Sequence, residues 1–257
     1  MQTKPKVLIY DIETSLMPVA VFSLLRNDYI QPSSILAERY IICAAWRWEG
    51  ESKVHTVSVL DDPKRYRKDP HDDLHVVKTL HTLISEADVI VHHNGDAFDK
   101  RYVDTRILYH GLDPLPPVLA VDTKKVAKGK FYLNSCSLDY LGQYLKLGRK
   151  THTSPGLWMR ILNGDAAAIR EMVKYNIGDV VLLGKVYQKL KPYTQVVNLE
   201  LFGKREGCPR CGSKQVQSRG VHRAITKTYQ RWQCQGCSGW FRTLRATPNT
   251  STKYRTL

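Results

Sequence analysis

Short apolar runs alternate with segments of helical period over the first three quarters of the chain. The apolar runs predict five strands, at residues 7–10, 40–48, 54–60, 88–93 and 118–121. The second and third of these strands flank a short polar turn and are predicted to form an antiparallel hairpin. Apolar positions with a helical period predict helices over residues 70–87, 100–110, 137–147, 157–163 and 166–190. This order predicts an α/β domain with a mixed sheet, and residues 61–69 are predicted to form a polar loop.

Two carboxylates follow the first predicted strand. Asp11 and Glu13 are separated by one residue, so an extended backbone directs both to the same face. Two anions at this distance repel each other, and a divalent cation with oxygen ligands would relieve the repulsion. A solvated strand end that is followed by a turn is the alternative explanation.

Two further carboxylates lie at positions where a ligand-binding or catalytic site is expected. Asp99 follows the turn at Asn94-Gly95, where a central strand passes into a helix, and ligands bind at such junctions in open α/β sheets. Tyr175 and Asp179 are four residues apart in the last helix and therefore share one face. Asp179 has apolar neighbours, and a buried carboxylate needs a partner, which could also be a purely structural one.

Other polar residues near these positions are predicted to have structural roles. Asp96 lies in a turn and Asp104 on a helix face, whereas Asp122 is expected to support the site without binding a metal. His92 and His93 are predicted to be ordinary strand residues.

The three acidic patterns, D-x-E, N-x-x-x-F-D and Y-x-x-x-D, occur in that order along the chain. Together they resemble the three exonuclease motifs of the DEDD superfamily in its tyrosine-bearing subgroup. That subgroup includes ribonuclease D and the proofreading domains of family A and family B DNA polymerases. The wider pattern, with DIETS, CAAWRW, NGDAFD and VDTKKVAKGKF, is also similar to phage-encoded exonuclease-like proteins. The resemblance covers residues 6–192.

The resemblance implies a ribonuclease-H-like fold, in which a mixed five-stranded sheet is flanked by helices. It also implies two-metal hydrolysis of phosphodiester bonds from a 3′ end. Two Mg²⁺ or Mn²⁺ ions, about 4 Å apart, would be held by four carboxylates. By this resemblance the metal ligands are Asp11, Glu13, Asp99 and Asp179, and Tyr175 orients the attacking water.

The resemblance also implies contacts with the substrate. Thr14 and either Leu16 or Met17 would meet the terminal nucleotide. Asn94 and Phe98 would meet the strand that enters the site, although Phe98 could equally be a packing residue of the core.

Two C-x-x-C pairs near the C-terminus predict a separate small domain. The pairs are Cys208 with Cys211 and Cys234 with Cys237, and 22 residues lie between them. This spacing is slightly longer than usual for a Cys₄ zinc site but has the same design. Disulfides or a redox pair are the alternatives. We expect an exonuclease domain at residues 1–192, a linker at 193–206, and a zinc ribbon with a basic tail at 207–257.

Positive charge is concentrated in the same C-terminal region. The chain has a formal net charge of +15, and from residue 201 onward it contains twelve Lys or Arg residues and a single acidic residue, Glu206. Such asymmetry favours contact with a polyanion. Arginines hold phosphates and aromatic rings stack on bases, so we expect Arg223, Arg231, Trp232 and Trp240 to contact nucleic acid. The alternative is that the aromatic residues form the small core of the ribbon.

Three functional hypotheses are compatible with these features. The first is a 3′–5′ exonuclease that acts on single-stranded DNA, is encoded by a phage and serves replication or repair with a replication-protein partner. The second is a 3′–5′ exoribonuclease, and the third is a non-catalytic adaptor that binds nucleic acid. The adaptor is disfavoured because all four carboxylates and the tyrosine are present. Apolar runs long enough for a membrane span are absent from the sequence, so we expect a cytoplasmic protein, in the host cytoplasm if it is phage-encoded.

Overall fold

The computed structural model describes residues 5–21, 30–194, 207–209, 211–224, 227–242 and 247–248. The chain divides into two compact units between Tyr187 and Gln188, and each unit is described separately below. Most of the predicted linker, from residue 195 onward, lies outside the described residues. The domain boundaries predicted from the sequence therefore stay a prediction.

The first unit contains a mixed five-stranded sheet with the strand order β3-β2-β1-β4-β5. The strands are β1 (Val7–Thr14), β2 (Ile41–Trp48), β3 (His55–Ser58), β4 (Val89–His92) and β5 (Leu119–Asp122). β2 is antiparallel to both β1 and β3, whereas β4 is parallel to both β1 and β5. The predicted α/β fold with a mixed sheet is therefore confirmed.

Seven α-helices accompany this sheet among the described residues. They are α1 (Pro63–Lys68), α2 (Leu74–Glu86), α3 (Asp99–Tyr109), α4 (Thr123–Lys130), α5 (Leu138–Tyr144), α6 (Leu157–Leu162) and α7 (Ala166–Leu190). α7 has the bounds that the sequence predicts. Asp165 caps it, because its Oδ1 accepts hydrogen bonds from the backbone N–H groups of Ala167, at 2.8 Å, and Ala168, at 3.3 Å.

The prediction of a loop at residues 61–69 is wrong, because helix α1 occupies most of this segment. The helix begins at Pro63, and the Asp62 side chain accepts a hydrogen bond from the backbone N–H of Arg65 at 3.1 Å. An Asp cap followed by Pro at the first helical position favours a helix start even without apolar periodicity.

Helix α4 is absent from the sequence prediction. The Asp122 carboxylate caps it by accepting from the backbone N–H groups of Lys124, at 3.0 Å, and Lys125, at 3.2 Å. The first predicted strand is too short, since β1 continues through Asp11 and Glu13 to Thr14. The predicted third strand and first helix are too long, because β3 ends at Ser58 and α2 begins at Leu74.

A buried ion-pair cluster joins α2 and α3 to the start of β2. The Asp73 carboxylate accepts from the backbone N–H of Ile41 at 2.8 Å, and Arg106 donates to both of its oxygens, at 2.8 and 2.7 Å. Nε2 of His110 lies 2.6 Å from the same carboxylate. Because Asp73 is fully buried, these partners compensate the loss of its hydration.

The second unit contains an antiparallel sheet in which β7 lies between β6 and β8. Its strands are β6 (Val216–Arg223), β7 (Lys227–Cys234), β8 (Trp240–Arg242) and β9 (Thr247–Pro248), and β9 also pairs with β7. The register shifts between Ser218 and Val221 of β6, next to Gly220 with a φ of 76°. None of the helices in the described part of the chain is both long enough and apolar enough to cross a membrane.

Candidate functional site

Three of the four predicted metal ligands converge at the end of β1. One oxygen of Asp11, one of Glu13 and one of Asp179 lie within 4.8 Å of one another. Asp11 and Glu13 share a face because they alternate along β1, and α7 brings Asp179 to them from a distant part of the sequence. The three carboxylates can therefore share one cation.

Asp99 lies beside this cluster. It is the first residue of α3 and is 3% exposed. Its Oδ1 accepts a hydrogen bond at 3.3 Å from the backbone N–H of Ile12, the residue between Asp11 and Glu13. This bond attaches the start of α3 to the acidic end of β1, so the fourth predicted ligand belongs to the same region.

Burial raises the pKa values of these acids, and mutual repulsion adds to the effect at Asp11 and Glu13. Burial raises the pKa of Asp11 well above its usual range, and the charges of Asp99, Glu13 and Asp179 add to the effect. Burial and the charge of Asp179 raise the pKa of Glu13 to about 8, and burial raises the pKa of Asp99 to about 7. The carboxylates therefore lack enough positive charge around them, which is the situation that a divalent cation relieves.

These shifts predict how the stability of the metal-free protein depends on pH. Unfolded Glu and Asp have pKa values of about 4.3 and 3.9, so the folded state retains protons to a higher pH than the unfolded state. The resulting stabilisation is complete below about pH 4 and is lost as the pH rises through about 7 and 8. We therefore expect the melting temperature without Mg²⁺ or Mn²⁺, but with zinc retained, to fall between pH 6 and pH 9.

Divalent ions should reverse this loss of stability. A metal ion binds deprotonated carboxylates, so Mn²⁺ should raise the melting temperature more at pH 8.5 than at pH 6. Differential scanning fluorimetry over a pH series measures both effects. A melting temperature that is flat over this range, or equal stabilisation by Mn²⁺ at both pH values, would contradict the assignment of the cluster.

Lys150 supplies a positive charge to the cluster that sequence reasoning missed. Its Nζ lies 2.7 Å from Oδ2 of Asp179 and 5.1 Å from the centre of the Tyr175 ring. The other oxygen of Asp179, Oδ1, is buried and has no hydrogen-bond partner among the described residues. Burial raises the pKa of Asp179, and the Lys150 ammonium opposes that rise. Asp179 thus has one oxygen paired with Lys150 and one available to a cation.

Asn176 is a second residue that the sequence analysis missed. It is fully buried, and its Nδ2 donates to Oδ2 of Asp11 at 2.7 Å. Asn176 precedes Asp179 by almost one helical turn, so α7 fixes both the orientation of Asp11 and the position of its partner carboxylate. The sequence signal that could have identified Asn176 is its position as a polar residue between apolar positions of α7.

Tyr175 lies at the edge of the cluster. Lys150 Nζ lies 5.1 Å from the centre of its ring, and the charges of Asp179, Lys150 and Glu13 all act on its hydroxyl. Burial raises the pKa of the Tyr175 phenol above its ordinary value. The hydroxyl is therefore neutral at physiological pH and can orient a polar partner, but it is a poor base.

The predicted nucleotide contacts have varied surroundings. Thr14 is buried, and its Oγ1 accepts from Nη2 of Arg39 at 3.1 Å. Leu16 and Met17 are 40% and 38% exposed. The roles of these three residues at a terminal nucleotide stay predictions.

Asn94 and Phe98, predicted to meet the entering strand, are both held by neighbouring residues. Asn94 has a φ of 68°, and its N–H donates to Oδ1 of Asp122 at 3.0 Å. Phe98 stacks on Tyr102 with 5.7 Å between ring centres and packs against the hydrophobic core. Phe98 therefore has the packing role left open by the sequence, and contact with a nucleic-acid strand stays a prediction for both residues.

His92 supports the loop that leads to Asp99. It is fully buried, with Nε2 at 3.3 Å from Oδ1 of Asp96 and Nδ1 at 3.9 Å from Oδ2 of Asp122. A Cβ on Gly95 would lie 2.3 Å from the His92 ring, so the loop can pack here only with glycine. This contact sets the path of the chain from β4 to α3.

The four C-terminal cysteines form a compact cluster in the second unit. Sγ of Cys208 lies 3.7 Å from Sγ of Cys237, and Sγ of Cys211 lies 3.6 Å from Sγ of Cys234. These distances exceed a disulfide bond, and they match the separation of about 3.8 Å between sulfurs at tetrahedral corners around zinc. Although burial opposes ionisation, backbone N–H groups of Cys237 and Gly236 help lower the pKa of Cys234 to about 7. The cluster therefore fits a Cys₄ zinc site.

Comparison with known proteins agrees with the fold. The profile of the RNase_H superfamily matches residues 44–191, which is more than half of the chain. Among solved structures, the family B DNA polymerase of the hyperthermophilic archaeon Pyrobaculum calidifontis is similar, with a TM-score of 0.51 and 14% identity. The match covers 78% of this chain and 27% of the polymerase chain.

A search among curated proteins found no match. The ribonuclease-H-like fold and the acidic cluster together support a nuclease, whose substrate is a nucleic acid. On the extent of the profile match, the chain belongs to the RNase_H superfamily.

Proposed function

We propose that this protein is a metal-dependent 3′–5′ exonuclease of the tyrosine-bearing DEDD subgroup that acts on single-stranded DNA. The observation that carries the proposal is the convergence of Asp11, Glu13 and Asp179 within 4.8 Å, with Asp99 attached to the same strand. Such a set of buried acids destabilises the metal-free protein at neutral pH, and a structural role would not require it.

The chain's own residues would bind and orient the reactants. Asp11, Glu13, Asp99 and Asp179 would hold two Mg²⁺ or Mn²⁺ ions. Oδ1 of Asp179, to which no described residue donates a hydrogen bond, would be among the ligand atoms. When bound, such ions lower the pKa of a water molecule and stabilise charge on the leaving oxygen. Asn176 keeps Asp11 in its orientation, and the Tyr175 hydroxyl positions the water.

The preference for DNA is supported by the similarity of NGDAFDKRY to the proofreading motif of DNA polymerases. The fold similarity to a family B DNA polymerase is in accord with it. An exoribonuclease would use the same carboxylates, so the sugar preference must be measured. We also propose that the protein is phage-encoded, serves replication or repair with a replication-protein partner, and acts in the host cytoplasm.

The C-terminal unit is proposed to be a zinc ribbon that holds nucleic acid near the nuclease. Support comes from the four clustered cysteines and from the basic, aromatic composition of the strands around them. A ribbon of this kind would increase the affinity for a strand without taking part in hydrolysis.

A denaturing-gel time course tests the nuclease. Single-stranded DNA and RNA oligonucleotides of one sequence, labelled at the 5′ end, are incubated with Mg²⁺, with Mn²⁺ or without added metal. We expect a metal-dependent ladder that shortens from the 3′ end and forms faster on DNA. A faster ladder on RNA would establish the exoribonuclease. Binding in a gel-shift assay, without cleavage under any metal, would establish the adaptor.

Tyr175→Phe tests the role of the phenol. Removing the hydroxyl should lower kcat roughly 10- to 100-fold, because the water loses one positioning contact. The midpoint for activation by Mn²⁺ should stay unchanged, since Tyr175 is not proposed as a metal ligand. Tyr144→Phe is the matched control, because Tyr144 is 61% exposed. A Tyr175→Phe rate equal to that of the control would remove Tyr175 from the mechanism.

A further inference from the structure

The register of the C-terminal sheet divides its side chains between two faces. Directly paired residues of antiparallel strands point to the same face, and alternate residues of one strand also share a face. On β7, Tyr229, Arg231 and Gln233 therefore share one face. Their paired residues on that face are Gln217 and His222 on β6 and Trp240 and Arg242 on β8.

We name this side the arginine face, formed by His222, Tyr229, Arg231, Trp240 and Arg242. The opposite side, the cysteine face, is formed by Arg223, Thr228, Gln230, Trp232, Cys234 and Phe241. Two of the four ribbon residues expected to contact nucleic acid, Arg231 and Trp240, lie on the arginine face. The other two, Arg223 and Trp232, lie on the cysteine face, and our proposal for the arginine face replaces the nucleic-acid contacts that the sequence led us to expect for them.

Guanidinium groups lie over aromatic rings on the arginine face. The guanidinium carbon of Arg242 lies 4.2 Å from the centre of the Tyr229 ring, and that of Arg231 lies 5.2 Å from the Trp240 ring. The ring of His222 is 6.2 Å from that of Tyr229. Arg231 also donates to the backbone carbonyl of Arg219 at 3.0 and 2.9 Å, which fixes its guanidinium. These contacts order long side chains before any ligand binds.

The charge on this face has no carboxylate in the same segment to balance it. Residues 207–257 contain ten Lys or Arg residues and no Asp or Glu. Arg231 and Arg242 are exposed, and Trp240 is 45% exposed beside them. A ligand with regularly spaced anions and flat rings complements exposed cations that alternate with aromatic rings.

We propose that the arginine face is the surface on which this protein binds a single strand of DNA, with phosphates on Arg231 and Arg242 and bases stacked beside Tyr229 and Trp240. This inference rests on the proposed function, because it specifies how the ribbon holds the substrate. The cysteine face, which carries Cys234 of the cysteine cluster, does not contact the strand.

The charge test compares equivalent arginines on the two faces of the full-length chain. Binding of a fluorescein-labelled oligo-dT is followed by anisotropy over a salt series, without Mg²⁺ or Mn²⁺ and with zinc retained. Arg242→Ala should weaken binding roughly tenfold and make the slope of log K against log salt shallower by about 0.7. Arg223→Ala is the control, because it removes the same charge from an exposed position on the cysteine face. Its affinity should stay within about twofold of the parent.

The stacking test uses Trp240. Trp240→Ala should weaken binding to oligo-dT roughly tenfold but leave binding to an abasic oligonucleotide of the same length unchanged. Trp240→Phe should restore most of the affinity, because it keeps a ring on which a base can stack. Equal effects of Arg242→Ala and Arg223→Ala, or equal effects of Trp240→Ala on both oligonucleotides, would overturn the assignment of the face. Zinc content, measured for each variant, verifies that the ribbon is folded.

A further variant separates this inference from the proposed function. Cys234→Ser combined with Cys237→Ser in the full chain removes two zinc ligands and thus the whole ribbon surface. If the double variant binds oligo-dT as the parent does, the ribbon does not hold nucleic acid. Both the role proposed for the ribbon and the assignment of the arginine face are then wrong. If the double variant binds oligo-dT weakly but Arg242→Ala and Arg223→Ala have equal affinities, only the assignment of the arginine face is wrong. Metal-dependent cleavage of a short oligonucleotide reports on the nuclease independently of both results.

Discussion

Asp11→Asn is expected to abolish hydrolysis while it stabilises the metal-free protein. The substitution preserves the shape of the side chain and removes a charge that burial and the carboxylates of Asp99, Glu13 and Asp179 disfavour. Loss of a ligand should lower the rate by more than about 1,000-fold, because metal ions contribute several kcal/mol to such reactions. The same loss of charge relieves repulsion, so the melting temperature at pH 8 without Mg²⁺ or Mn²⁺ should rise.

Asp104→Asn is the matched control for this experiment. Asp104 lies on α3, where Lys100 pairs with it at 3.0 Å and its side chain is 43% exposed. Asp104→Asn should retain the hydrolysis rate of the parent, and its melting temperature should change little. A structural role for Asp11 predicts the opposite result for Asp11→Asn, namely retained hydrolysis with a lower melting temperature. Rate and stability measured on the same preparations therefore distinguish a metal ligand from a packing residue.

Removal of zinc is expected to unfold the C-terminal unit and leave the nuclease unit folded. A segment of about fifty residues buries too little apolar surface to fold alone, whereas structural zinc provides about 10–16 kcal/mol of apparent binding free energy. Cys208 and Cys234 are buried, but most side chains of β6 are exposed, so the sheet has little other support. Cys234→Ser should lose zinc and become sensitive to protease within residues 207–257.

The zinc prediction has a control within the same chain. Cys136 lies outside the cysteine cluster, so Cys136→Ser should retain one zinc ion per chain and the parent pattern of proteolysis. Zinc is quantified with a chromogenic chelator after denaturation. Limited proteolysis followed by mass spectrometry locates the cleavage sites. A zinc-free Cys234→Ser protein with an intact, protease-resistant C-terminal unit would show that the metal does not stabilise this fold.

The fold could be predicted where local signals agree with one another. α7 was predicted at its observed bounds because Asp165 is a good cap and a long apolar period follows it. α1 was missed because its sequence, PKRYRK, has no apolar stripe, so that the prediction depended on recognising Asp62-Pro63 as a helix start. Periodicity thus detects helices that bury a face and overlooks short helices that are specified by their caps.

The site was predictable only where chemistry follows a recognisable spacing. The carboxylates fall within short motifs, whereas Lys150 lies between α5 and α6 and meets Asp179 only through the tertiary fold. The two faces of the ribbon were also beyond sequence reasoning. The shift between Ser218 and Val221 places His222 on the same face as Gln217, although strict alternation would separate them.

The position of Asp179 so late in the chain has a consequence for protein synthesis. At roughly 5–20 residues per second, a ribosome needs about 10–30 s after making Asp11 before it adds Asp179. Until then the chain lacks α7, and with it Asn176 and the carboxylate that completes the cluster. A nascent chain can form the strands of the sheet, but it cannot yet hold the cation as the finished protein would. Until Asp179 has been added, a translating ribosome therefore does not present an active nuclease to the nucleic acids around it.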